Sequence, residues 1–187
     1  AKSTDTVSSG LVAGTKSGES AVALGRFDFE CIGADGKVKW SGSAPNLVVN
    51  VGLAYMAGSA LTSVTAITTW YVGLYGAGAS NTPAAADTMS SHAGWTENVG
   101  YSNATRVACT FVTATTANPS VATNTASPAS FSINATSTVG GAFLTSGSAK
   151  SGTAGTLFSA ADFSSPGDRA VTSGDTLNVT YTMSLVG

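Results

Sequence analysis

The chain has 187 residues, of which 10% are charged, and its formal net charge is −2. Ala (30), Ser (26), Thr (26) and Gly (22) supply more than half of it. A hydrophobic fraction of 43% with so little charge argues against disorder. Eight Lys and Arg against ten Asp and Glu offer no basic surface, so no nucleic-acid partner is expected. No run of about 18 apolar residues is present, so no membrane association is expected either.

The N-terminal residues 1–24 are predicted to form an extended arm. They mix Ser, Gly and Thr with scattered Val and Leu, and they show neither a strand period nor a helix period. Such a segment cannot bury enough apolar area to offset its ordering entropy by itself. We therefore expect a partner chain to hold it, with Lys2 and Lys16 as candidate contacts.

Residues 26–40 have the pattern of a β-hairpin. Phe27, Phe29 and Cys31 alternate with charged residues, and Asp35-Gly36 supplies the turn before a second alternating stretch. Asp-Gly between alternating strands is a strong short-range hairpin signal, because Gly takes the positive φ that the turn needs. Arg26 and Trp40, near the two ends of this hairpin, are further candidate contacts.

Residues 46–61 are predicted to form one short helix, with Asn46 as its N-cap. Apolar residues recur there at spacings of three and four, from Leu47 to Leu61. Gly52 and Gly58 weaken an isolated helix by about 1 kcal/mol each relative to Ala. The helix should therefore be stable only when it packs on a sheet.

From residue 67 to the end, the pattern is that of strands separated by Gly, Pro and Asn loops. The final segment alternates for ten residues, with an apolar face from Leu177 to Leu185. Loops are expected at 77–94 and at the Thr-, Asn- and Pro-rich stretch 113–128. Residues 25–187 are thus predicted to form one antiparallel sandwich or barrel domain. The predicted strands are 70–75, 105–112, 129–134, 141–145 and 176–185.

The intervals 41–86 and 107–149 contain no Asp, Glu, Lys or Arg. Outward strand positions there are Ser and Thr. Another protein can cover these side chains without removing water from a charge, which would cost several kcal/mol per unpaired ion. This favours a protein that functions in an assembly. A secreted Ser/Thr-rich β-domain is the alternative.

No pattern of residues indicates an active site. His92 is the single histidine, and although Asp87, Ser90 and Ser91 lie close to it in sequence, no G-x-S-x-G motif accompanies them. One His and two distant cysteines cannot close a typical zinc site, and no calcium loop, carboxylate pair or phosphate loop is marked. We expect a non-enzymatic protein without metal or cofactor. Cys31 and Cys109 are predicted to be buried thiols, with a disulfide between them as the alternative.

Four aromatic residues allow a second interpretation. Trp70, Tyr71, Trp95 and Tyr101 could stack on sugars, but we favour core or interface packing, because aromatic residues dominate both. Trp95 is also taken as a candidate contact with another subunit.

The chain resembles a family of small virion proteins of tailed bacteriophages, the capsid decoration or cement proteins. The resemblance covers about residues 25–187. It is carried by GRFDFEC at 25–31, DGKVKW at 35–40, NLVVNVGL at 46–53, WYVGL at 70–74, ADTM at 86–89, HAGW at 92–95, YSNATR at 101–106, GAFL at 141–144 and SGDTLNV at 173–179.

The resemblance implies an antiparallel β-sandwich or jelly roll on the outer surface of the virion head. Its partners would be the major capsid protein and other copies of the chain, as a dimer or trimer, with the arm lying across a neighbouring capsid or decoration subunit. The alternative function is a tail or fibre component that binds host surface glycans.

Overall fold

The computed structural model describes residues 21–77, 82–163 and 167–187, and within them it contains one helix and two antiparallel sheets. The helix, α1, spans Asn50–Leu61. The first sheet comprises β1 (Val22–Ile32), β2 (Val38–Pro45), β7 (Ser120–Thr123), β8 (Ala129–Ser132) and β12 (Thr176–Val186). The second comprises β3 (Leu47–Val48), β4 (Trp70–Gly76), β5 (Glu97–Asn98), β6 (Val107–Cys109), β9 (Ser137–Thr145), β10 (Leu157–Asp162) and β11 (Arg169–Val171).

The predicted hairpin is confirmed, and it forms one side of the first sheet. β1 pairs with β2 through the turn at 33–37, and its other edge pairs with β12 over eleven residues, from Val22 opposite Val186 to Ile32 opposite Thr176. Because β1 begins at Val22, the predicted arm boundary at residue 24 is wrong: residues 22–24 belong to the sheet. The expected arm otherwise falls on residues 1–20, outside the described part of the chain.

The two sheets pack face to face around one apolar core, so the predicted antiparallel β-sandwich is confirmed. The side of β1 that the sequence alternation predicted to be buried does face the core, since Phe27, Phe29 and Cys31 point inward. β12 buries Leu177 and Val179 on the same side. Strand alternation places every second side chain on this inner face, which is why the charged residues of β1 point outward.

A second apolar cluster lies on the other face of the second sheet. Tyr75 and Phe143 project from β4 and β9 away from the main core, and Met89 and Trp95 from the segment 82–96 cover them. β9 is accordingly buried on both faces from Val139 onward. This covering layer explains the continuous apolar run at 141–144, where alternation is absent.

The helix is shorter than predicted, and its predicted cap is wrong. Leu47 and Val48 form a short strand on β10, and the N-cap position is Val49, with no side-chain hydrogen bond. The Asn46 side chain is engaged elsewhere, because its Nδ2 donates to the Tyr181 hydroxyl at 2.8 Å. As expected, the helix packs on a sheet: a Cβ on Gly52 would lie 2.2 Å from the Phe158 carbonyl oxygen, so only glycine allows this approach to β10.

Two predictions between residues 105 and 128 are wrong, one of a strand and one of a loop. The strand expected at 105–112 is reduced to β6, residues Val107–Cys109. The stretch expected to be a loop, 113–128, contains β7, which pairs with β12 from Thr123 opposite Thr182 to Ser120 opposite Leu185. The partner strand overrides the weak local preference of this Thr- and Asn-rich sequence.

Candidate interaction surface

The outer face of the first sheet combines one row of charged residues with rows of hydroxyl and amide side chains. The charged row lies on β1 and consists of Arg26, Asp28 and Glu30. In the strand register, Asp28 lies between Ser43 and Thr180. The remaining outward positions of β12 are Thr176, Asn178, Thr182 and Ser184, all partly exposed. We refer to this surface, formed by β2, β1, β12, β7 and β8, as the hydroxyl face.

The charges of the hydroxyl face partly compensate one another. Arg26 Nε lies 3.0 Å from the Asp28 carboxylate in an exposed ion pair, which leaves Glu30 as the uncompensated charge of the row. On the far side of β12 the contacts are between hydroxyls, and Thr123 Oγ1 lies 3.0 Å from Thr182 Oγ1. Another protein could cover this side without displacing water from an ion.

The predicted contact residues do not form one surface. Arg26 lies on the hydroxyl face and is exposed. Trp40 is half-buried; it packs edge-on against Phe163, and its Nε1 donates to the Ala170 carbonyl oxygen at 2.9 Å. Lys2 and Lys16 lie outside the described residues, so their role in an arm contact stays a prediction.

Trp95 is unsuited to a surface contact, so this predicted contact is wrong. Its side chain is 3% exposed, and its Nε1 donates to Asp87 Oδ2 at 2.9 Å. The alternative of a sugar-stacking platform loses two of its four residues, because Tyr101 is also buried. Tyr101 lies in the main core, whereas Trp95 lies in the second cluster. The indole of Trp95 packs at a tilt against the rings of Tyr75 and Phe143 and does not face solvent.

The sequence cluster around His92 is organised by Trp95. The imidazole stacks on the indole with ring centroids 3.8 Å apart, and Nδ1 lies 2.9 Å from the Trp95 carbonyl oxygen. The Asp87 carboxylate accepts hydrogen bonds from the Ala84 N–H and the Trp95 indole. Asp87 and His92 are thus both bonded to Trp95 and serve to fold the segment 82–96 over the second sheet. In the ranges that the structure describes, no group of three or more His, Cys, Asp or Glu could hold a metal.

The two cysteines are buried and free, as predicted. Burial raises the pKa of Cys109 to about 12. Burial, with the neighbouring Asp175 carboxylate, raises the pKa of Cys31 to about 11. Asp175 itself also accepts hydrogen bonds from Lys39 Nζ at 2.7 Å and from the Thr172 N–H at 2.8 Å. This cluster fixes the hairpin against the loop that precedes β12.

A buried ion pair was not predicted. Arg106, the residue before β6, and Glu97 of β5 bind each other, and Arg106 also donates to the carbonyl oxygens of Gly147 and Gly152. The sequence carries one weak signal for it: Arg106 is the last charged residue before the charge-free interval 107–149. Nothing in the spacing identifies Glu97 as its partner.

No described helix has the length and apolar character needed to cross a membrane.

Comparisons with known proteins found no relative of the chain. No family model, curated protein or solved structure matches it. The resemblance to phage decoration proteins therefore stays a prediction.

Proposed function

We propose that the chain is a structural subunit of a bacteriophage virion that decorates the outer surface of the head and stabilises contacts between capsomers. Its partners would be the major capsid protein and further copies of the chain. The jelly-roll connectivity that the resemblance implies belongs to this proposal, as does the absence of catalytic activity.

The observation that carries the proposal is the composition of the hydroxyl face. A free soluble β-protein usually places charges on outward strand positions, which also prevents unwanted pairing of sheet edges. Here the outward side chains of β12 are Thr, Asn and Ser throughout. Covering the β12 side of the face, and not the charged row on β1, avoids the desolvation of ions, so a repeated subunit can bind many equivalent sites on a shell through that side. If the chain binds the assembled shell and not the free capsid protein, its binding stabilises the assembled shell by mass action.

The glycan-binding alternative has lost its main support. Two of the four aromatic residues on which it depended, Trp95 and Tyr101, are buried in separate clusters. No other observation in the described residues favours it, so we do not propose it.

The proposal is tested by placing a charge on the hydroxyl face. Ser184 is partly exposed on β12, where its cross-strand neighbours Leu24 and Val121 carry no charge, whereas Thr153 is exposed in the loop between β9 and β10. We expect Ser184→Lys to lose binding to phage heads that lack the protein, because the unpaired ammonium would have to be desolvated. Thr153→Lys is the matched control and should bind like the unmodified chain. Equal binding of both variants to the heads, in a co-sedimentation assay, would contradict this assignment of the surface.

A further inference from the structure

An apolar pocket of about 410 Å³ opens where the two sheets and the helix meet. Its walls come from the helix and from both sheets, with Met56 from α1, Trp70 from β4, Ala122 from β7 and Met183 from β12. The volume lies within the range of small-ligand sites, about 300–1,000 Å³. The main core is therefore incompletely filled at this end of the sandwich.

One wall of the pocket is a row of three aromatic rings. The Trp70 indole packs edge-on against Tyr55, with ring centroids 5.4 Å apart, and against Phe158, with centroids 5.3 Å apart. Edge-on contacts are a favoured geometry of aromatic pairs, so this wall is ordered before any molecule binds. Met56 and Met183 also line the pocket, and their flexible thioether side chains can adapt to the shape of a bound molecule.

The indole N–H of Trp70 is an unpaired donor in this wall. The chain has three tryptophans. Trp40 Nε1 donates to the Ala170 carbonyl oxygen, and Trp95 Nε1 donates to Asp87 Oδ2, each at 2.9 Å. Among the residues that the structure describes, Trp70 Nε1 has no such acceptor. Because indole N–H groups usually find a hydrogen-bond partner when they are buried, this donor is available to a molecule in the pocket.

The hydroxyl groups of the pocket wall are already hydrogen-bonded within the protein. The Tyr55 hydroxyl accepts the Ile67 N–H at 2.8 Å. The Tyr181 hydroxyl accepts from Asn46 Nδ2 at 2.8 Å, and Ser59 Oγ donates to a carbonyl oxygen of the helix at 3.0 Å. No residue of the wall is charged, so an ionised ligand would lose its hydration without gaining a counter-ion. The pocket therefore favours a neutral molecule.

We propose that the pocket binds a neutral, mainly apolar carbonyl compound, such as an aromatic ketone or ester, whose oxygen accepts a hydrogen bond from the Trp70 indole N–H. A carbonyl oxygen matches an N–H donor, and it brings no proton of its own that would need an acceptor in an apolar site. The aromatic row would contact the apolar body of the ligand, and the burial of that body would drive binding. The inference rests on the pocket alone and does not depend on a decoration function.

A titration of the full chain with acetophenone tests the inference. Labelling the tryptophans with ¹⁵N makes their indole N–H signals visible in a two-dimensional NMR spectrum, and single Trp-to-Phe variants assign the signals. We expect acetophenone to shift the Trp70 signal in a saturable manner, because this N–H gains an acceptor. The Trp40 and Trp95 signals should move little, because these N–H groups keep their protein acceptors. A Trp70 signal without a saturable shift, or one that moves no more than the other two, would overturn the inference.

A matched pair of probes isolates the hydrogen bond. α-Methylstyrene has the shape of acetophenone, with a CH₂ group in place of the carbonyl oxygen, so it keeps the apolar contacts and lacks the acceptor. Trp70→Phe should weaken the binding of acetophenone about fivefold, as expected for the loss of one hydrogen bond, and should change the affinity for α-methylstyrene much less. Trp40→Phe removes an indole N–H that bonds the Ala170 carbonyl oxygen, and it should leave both affinities unchanged.

Isothermal titration calorimetry measures the affinities of the two probes for each variant. An equal change for both probes in Trp70→Phe, or no change for acetophenone, would overturn the inference. Circular dichroism establishes that the variants are folded. If Trp70→Phe does not fold, the indole titration of the unmodified chain decides the inference by itself.

Discussion

Arg106 and Glu97 form a doubly hydrogen-bonded ion pair inside the protein: Nε lies 2.9 Å from Oε1, and Nη2 lies 2.8 Å from Oε2. The two side chains are 1% and 5% exposed, so water does not screen the pair. The Ser151 N–H also donates to Glu97, and Arg106 bonds two carbonyl oxygens of the same loop. The pair therefore joins β5 and the residue before β6 to the loop between β9 and β10.

Removing one partner of this pair should destabilise the fold. Arg106→Met leaves the Glu97 carboxylate buried and uncompensated, and we expect the free energy of unfolding to fall by about 3–5 kcal/mol. The double variant Arg106→Met/Glu97→Leu should recover most of the loss. Urea denaturation measures the free energy of unfolding of the single and the double variant. Lys37→Ala, which breaks an exposed ion pair with Asp35, serves as the control and should change little.

The close approach of the helix to β10 should be sensitive to a single methyl group. Gly52→Ala places a Cβ 2.2 Å from the Phe158 carbonyl oxygen, so the helix must shift, at a cost of about 1–3 kcal/mol. In Gly42→Ala the added Cβ meets no atom within 4 Å, and this variant should be as stable as the unmodified chain or slightly more stable. Equal thermal midpoints for the two variants would contradict the packing described for Gly52.

Asp175 should make the stability of the fold depend on pH in the acid range. Burial opposes its ionisation, but hydrogen bonds from Lys39 and the Thr172 N–H outweigh this and hold the pKa of the carboxyl below its usual value. A lowered pKa in the folded state stabilises the fold above the unfolded-state pKa of about 3.9, and this contribution is lost as the pH falls through the folded value.

The measurement compares Asp175→Asn with the unmodified chain. The stability difference between them should be constant above about pH 5 and should shrink as the pH falls below about 4. Cys31 stays protonated throughout this range because its pKa is about 11. Asp35→Asn, at an exposed carboxylate, is the control. A difference that is independent of pH down to about pH 2 would contradict the account.

The two thiols should be unreactive in the folded protein. With pKa values of about 11 and 12, Cys31 and Cys109 carry little thiolate at pH 8, and both are buried. Ellman's reagent should therefore react slowly with the native chain and rapidly with both thiols in guanidinium chloride. Rapid reaction of one thiol in the native state would show that its site opens readily.

The sequence was most informative where one face of a strand is buried. Alternation correctly predicted the inner faces of β1 and β12, because Phe27, Phe29, Leu177 and Val179 must enter the core together. It failed for β7, whose four residues are all partly buried, so that no period distinguishes them. β7 forms because β12 extends far enough to pair with it, and the sequence of β7 itself does not indicate this pairing.

The candidate surface could be predicted only in part. The charge-free intervals 41–86 and 107–149 predicted an uncharged exterior, but β12, whose Thr, Asn and Ser side chains carry the proposal, lies outside both intervals. The pairing of β12 with β7 brings an uncharged interval to the same face, and this pairing is a long-range arrangement. Trp95 was misassigned because composition does not distinguish a surface aromatic from a buried one. Its burial follows from the fold of the segment 82–96 over Tyr75 and Phe143, which is a long-range arrangement.

The most direct test of the proposed function is the number of copies of this chain in each purified virion, measured by quantitative mass spectrometry against the major capsid protein. The proposal predicts a fixed, small-integer ratio to the capsid protein, because a decoration subunit repeats with the shell lattice. A few copies per particle, as in a tail tip or fibre, or no copies at all, would contradict it.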